Sequence, residues 1–188
     1  MKRVAVINVV GLTEAHLGEH TPNITALANA SSITSLEPPL PAVTCTVQSS
    51  MLTGNTPSDH GVVANGWHER ETKETFFWRQ SNELVQGEKI WDVLRAKNNT
   101  FSVTNMFWWF NMYSTADIAV TPRPIYCANG RKIPDIWTTP SPLRKTLQDK
   151  LGPFPLFHFW GPMASIKSTQ WIVNATIEVD KTHQSTLT

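Results

Sequence analysis

The sequence predicts an α/β fold, a central and mostly parallel sheet flanked by helices, incomplete at its carboxyl end. Three observations carry this. Residues 4–10 are a near-continuous β-branched run closed by Gly11, the pattern of a central parallel strand buried on both faces. Residues 89–105 read as helix, short polar turn and strand, the βαβ rhythm of a parallel sheet. Residues 185–188 have β propensity and stop in mid-pattern.

The 188 residues suit one domain with a real core, and 40% hydrophobic with 16% charged is ordinary globular composition. A formal net charge of +1 excludes a strongly basic or acidic surface, so neither nucleic acid nor an anionic membrane is expected as a partner. Eight tryptophans imply large apolar surfaces that need burial, within the chain or against a partner. Cys45 and Cys127 offer neither a metal-binding spacing nor a disulfide framework, and read as two reduced thiols. No run is long enough for a transmembrane helix. Lys2-Arg3 before an apolar stretch mimics a signal peptide, but Asn8 interrupts the stretch and no small-residue cleavage site follows. A cytoplasmic location is therefore expected.

After the first strand, Thr21 and Pro22 mark a helix start that runs through Ile24, Leu27 and Ala28. Residues 41–67, PAVTCTVQSSMLTGNTPSDHGVVANGW, are the stretch on which the functional reading rests. A short helix over residues 45–52 would be stopped by Thr53-Gly54, then followed by a proline turn and Asn65-Gly66. A hydroxyl at the mouth of that helix faces unpaired N–H groups and the positive end of the macrodipole, where an alkoxide or phosphoryl oxygen is stabilised. On position alone Thr44 is a helix N-cap.

Residues 66–86 are polar with Phe76-Phe77-Trp78 embedded, an apolar plug under a long loop or a surface for stacking on substrate. His68 reads as a lone exposed histidine. Ile90, Trp91, Val93 and Leu94 have helical spacing, and residues 101–105 form the next strand. Phe107 to Phe110 follow that strand's carboxyl end, where open α/β sheets place clefts. They wall a pocket or pack on a neighbouring loop. Residues 116–120 predict a further strand, residues 121–142 a proline-rich surface loop, and residues 143–151 and 163–183 two helices.

In order and gaps, Pro41, Thr44, Thr53-Gly54 and the run Pro57-Ser58-Asp59-His60-Gly61-Val62-Val63-Ala64-Asn65 resemble the nucleophile segment of a known family. It is the type I phosphodiesterase/nucleotide pyrophosphatase branch of the alkaline phosphatase superfamily. Thr21-Pro22-Asn23-Ile24 and Leu27 extend the likeness over residues 3–67 at least. The resemblance implies an alkaline-phosphatase-like sheet, with residues 1–188 as the amino-terminal portion of one catalytic domain. It implies a hydrolase of phosphodiester or pyrophosphate bonds acting on a small-molecule phosphoester. Thr44 would be both nucleophile and zinc ligand. Asn65, with the N–H of Cys45, would hold a non-bridging oxygen. Two zinc ions are implied for the complete family site.

Most zinc ligands of that family have no counterpart here. Val10 stands where the family's first strand carries a zinc-binding Asp. Asn8 on the same face is a poor substitute and reads as a cap on the sheet end, and nothing in the spacing demands Glu14. After Asn65, Asp117, Asp135, Asp149, Asp180, His158 and His183 lack the spacing of the family's later ligands. The isolated chain is therefore expected to be inactive or incomplete, with a carboxy-terminal half or self-association as partner. Two alternatives stand beside this reading. One is a same-scaffold hydrolase of phosphomonoesters, phosphonates or sulfate esters; the other is a metal-free remnant or binding module.

Overall fold

The computed structural model describes residues 2–188 and divides into two compact units, Val6–Pro38 and Pro39–Thr188 with the first residues of the chain. The smaller unit contains α1 (Pro22–Asn29). Thr21 holds the N-cap position and Pro22 the first helical one, as the sequence predicts, because proline's missing N–H is no loss there. The Thr21 hydroxyl donates to the His16 carbonyl at 2.6 Å instead of capping its own helix.

In chain order the larger unit has α2 (Thr44–Thr53), α3 (Pro57–His60), β1 (Gly66–Glu69), β2 (Glu74–Phe77), α4 (Ile90–Lys97), β3 (Thr104–Met106) and β4 (Ile118–Pro122). Then come β5 (Ile125–Tyr126), β6 (Lys132–Ile133), β7 (Ile136–Thr139), α5 (Pro142–Leu151) and α6 (Ile166–His183). The main sheet has the order β3-β4-β7, parallel between β3 and β4 and antiparallel between β4 and β7. Leu187 extends it beyond β3 through parallel bridges to Val103 and Val4. The β propensity of residues 185–188 thus finds its place inside the sheet.

Side chains alternate across the sheet, and each face meets helices. Ile118, Val120 and Ile136 pack with Leu143 and Leu147 of α5 and Trp171, Ala175 and Val179 of α6. On the other face Val103 packs with Trp91 of α4 and Leu52 of α2. This is the predicted α/β class, with small sheets.

Three expectations are corrected. Residues 4–10 do not form a buried central strand. Only Val4 pairs, and Val6, Ile7, Val9 and Val10 are exposed. A β-branched run has strand propensity, but a strand exists only where neighbours complete its ladder. Residues 121–142 are not wholly a surface loop, because β7 lies inside them and pairs with β4 from Ala119↔Thr139 to Pro122↔Ile136. The prolines that flank β7, Pro134 and Pro140, lie outside the ladder, so they bound a strand rather than forbid one. The strand expected at residues 116–120 begins two residues later, at Ile118.

Candidate active site

The site is built from the α2 entrance upward. Val43 is extended and its N–H donates to the Pro41 carbonyl at 2.8 Å, so the chain turns directly into the helix. Thr44 is the first helical residue, not the N-cap, and lies half-buried at the positive end of the helix. Gly54 ends the helix in the left-handed region at φ 69°, which a residue without Cβ adopts at no steric cost.

The chain then returns to the start of α2 through a turn tied at every step. Thr56 and Asp59 form a reciprocal capping box at the start of α3. Hydrogen bonds from the Thr56 hydroxyl and N–H hold the Asp59 carboxyl below its usual range. His60 is fully buried. Its Nδ1 accepts from the Val62 N–H at 3.1 Å, which places the proton on Nε2, 2.9 Å from the Ser50 hydroxyl of α2. Burial pushes the imidazole pKa down and keeps the ring neutral. His60 therefore donates to Ser50 and is no base for it, and Asp59 is engaged by Thr56; these residues are not a catalytic triad. His60 thus fixes the turn against α2.

Five residues on, Asn65 reaches the helix entrance. Its Oδ1 accepts from the Cys45 N–H at 2.9 Å, pairing one of the donors that a helix start leaves free. Its backbone carbonyl accepts from the Trp78 N–H at 3.2 Å. The two residues singled out for chemistry, Thr44 and Asn65, thus come together although 21 positions apart in sequence. One detail differs from expectation: the Cys45 N–H is used to hold Asn65 and does not stand free beside it. The adjoining thiol is inert, since burial pushes its pKa up to about 12.

Beside this corner Cys45, Val62, Val85, Trp109 and Phe110 form a buried cluster, with Trp67 and Trp160 against it. Trp78 stacks on Trp160 and meets Trp109 edge-on, at centroid distances of 5.9 and 5.0 Å. Trp78 packs on both rings with 37% of its surface still exposed, and Phe77 beside it is 70% exposed. Sequence reasoning missed Ser50 and Gln48. The Gln48 Oε1 accepts from the Trp109 N–H at 2.8 Å and so joins α2 to the aromatic cluster. Polar residues at three successive positions in a short helix, Gln48, Ser49 and Ser50, were the available signal.

The residues do not fit a zinc pair. Among the described residues no three His, Cys, Asp or Glu side chains gather where they could hold a metal ion. The carboxylates have other partners: Asp117 pairs with Arg95 at 2.9 Å, Asp135 with Arg144 at 2.7 Å, Asp149 with Lys145 at 2.6 Å and Asp180 with Arg3. His158 contacts the Ser165 hydroxyl at 3.1 Å. Asn8 and Val10 are exposed, and Glu14 opens a 3-10 turn. Among the described residues no helix is long and apolar enough to cross a membrane.

The family model described as Type I phosphodiesterase / nucleotide pyrophosphatase matches residues 4–188. No curated protein and no solved structure matches the chain.

Proposed function

The chain belongs to the type I phosphodiesterase/nucleotide pyrophosphatase family, and from that premise we propose that residues 41–67 are the nucleophile end of a phosphodiester or pyrophosphate hydrolase. The Thr44 hydroxyl oxygen bonds to phosphorus as the bond to the leaving oxygen breaks, the hydroxyl proton ending on that oxygen, and water then cleaves the threonyl phosphate and returns the hydroxyl. Asn65 supports the transferring group. With its Oδ1 fastened to the Cys45 N–H, its Nδ2 is left as the donor for a non-bridging oxygen. The positive end of α2 adds to the stabilisation of that oxygen's charge. The single observation that supports this reading most is the 2.9 Å hydrogen bond joining Asn65 to the residue after Thr44.

Among the described residues the side chains do not assemble a set of zinc ligands. The same observation favours a second reading, a binding module that keeps the family's nucleophile corner without turnover. Hydrolysis of bis-(p-nitrophenyl) phosphate by the chain and by Thr44→Ala, each with and without added zinc, separates the two. The hydrolase reading expects turnover that falls to the buffer rate in Thr44→Ala. Equal rates in the two proteins, or no turnover in either, would contradict it, and the latter supports the binding module.

A further inference from the structure

We propose that the groove bordered by β7, the β5–β6 hairpin and the start of α5 is a second ligand site, for a small organic anion joining a planar ring to a phosphate. Its volume is about 600 Å³, room for a molecule of nucleotide size in a groove that stays open to solvent. The inference shares no residue with the Thr44 and Asn65 corner and does not rest on the hydrolase reading.

The cations of the groove are arranged, not scattered. Asp135 at its floor is buried and accepts from Arg144 Nε at 2.8 Å and Arg144 Nη2 at 2.7 Å. It also accepts from Gln148 Nε2 and the Ile136 N–H, each at 2.8 Å. Burial opposes ionisation of this carboxyl, but the hydrogen bonds from Arg144, Ile136 and Gln148 outweigh it and hold the pKa below the ordinary value. The paired bonds fix the plane of the Arg144 guanidinium and leave its Nη1 without a partner among the described residues. A guanidinium set in place beforehand loses little freedom when it meets a phosphate.

Arg123 also lines the groove, and its guanidinium makes no ion pair or hydrogen bond among the described residues. Lys132 lies over the Tyr126 ring, Nζ 5.6 Å from the centroid, and is not part of the lining. Two cations, Arg123 and Arg144, therefore line the groove with one carboxylate that Arg144 already engages, and Arg123 leaves a positive excess that draws an anion. Trp137 and Tyr126 supply planar walls; the Trp137 ring is braced edge-on by Tyr113 at 5.6 Å. Arginine beside aromatic faces recognises a phosphate attached to a flat ring by pairing at one end and stacking at the other.

Isothermal titration of the full chain with adenosine 5′-monophosphate, in buffer without metal, tests this. Adenosine and inorganic phosphate serve as separate probes of ring and anion. One-site binding is expected, weakened about tenfold or more in Arg123→Ala and in Tyr126→Ala. Both residues are exposed, so neither substitution disturbs the core. Thr44→Ala should bind as the unsubstituted chain does, and either isolated probe about tenfold more weakly. Absence of binding at millimolar nucleotide, unchanged affinity in Arg123→Ala, or inorganic phosphate binding as tightly as the nucleotide would overturn the proposal. So would loss of binding in Thr44→Ala, which would put the probe at the catalytic corner.

Discussion

The turn that carries Asn65 and the amino-terminal run that carries Asn8 each hold an asparagine close to a Val-Val pair, Val62-Val63 and Val9-Val10, but have opposite fates. Between Ser50 and Asn65 the structure ties polar groups to partners inside residues 45–65: Thr56 to Asp59, His60 to Val62 and Ser50, Asn65 to Cys45. Between Val6 and Val10 there is no strand partner, and Val10 is 77% exposed. A turn stabilised by near neighbours needs only its own sequence, whereas a strand needs a ladder supplied from elsewhere. The segment best suited to hold a reacting group is thus the one whose geometry is determined locally.

This comparison can be broken from the side of the turn. His60→Ala leaves the Val62 N–H and the Ser50 hydroxyl without their buried partner, and should destabilise the chain by about 2–3 kcal/mol in urea unfolding. A loss below about 0.5 kcal/mol would mean that the turn does not depend on the imidazole. Acid gives a second, smaller effect. His60 is held neutral below its ordinary pKa, so the unfolded chain binds the proton more readily than the folded one. Its contribution is complete above the ordinary value of 6.5 and declines as pH falls through that value, by at most about 1.4 kcal/mol per pH unit. Unfolding midpoints from pH 8 to 5 should show this slope, and His60→Gln should flatten it; an equal slope in both would assign it to other groups. The smallest effect belongs to the other region. Ile7→Ser, at a side chain 80% exposed, should change stability by less than about 0.5 kcal/mol. A loss above about 2 kcal/mol would show that the run is buried in solution after all.

What was legible in the sequence follows the same division. Pro22 after Thr21, and Gly54 after Thr53, mark helix ends by backbone chemistry that acts within one turn, and both lie where expected. The amphipathic spacing of Ile90, Trp91, Val93 and Leu94 located α4 for the same reason. The gap pattern from Pro41 to Asn65 pointed to two residues that the fold does bring together. Residues 136–139 were not legible, because their flanking prolines suggested a loop while their pairing with β4 is set by tertiary contact. The reach of Leu187 between Val4 and Val103 likewise joins residues more than 80 positions apart, which no local pattern encodes. The groove above Asp135 escaped notice because Arg123, Tyr126 and Arg144 acquire meaning only once β7 and α5 set them side by side.

The most direct test of the account uses Asn65→Asp, which keeps a carbonyl-type oxygen for the Cys45 N–H and removes the Nδ2 donor. Two quantities are measured on the same protein, its unfolding midpoint and its rate on bis-(p-nitrophenyl) phosphate. The account predicts a stability within about 0.5 kcal/mol of the unsubstituted chain and a rate lower by about 100-fold or more. A variant that keeps the full rate would contradict the role given to Asn65, and with it the reading of this corner as the place where phosphorus is attacked.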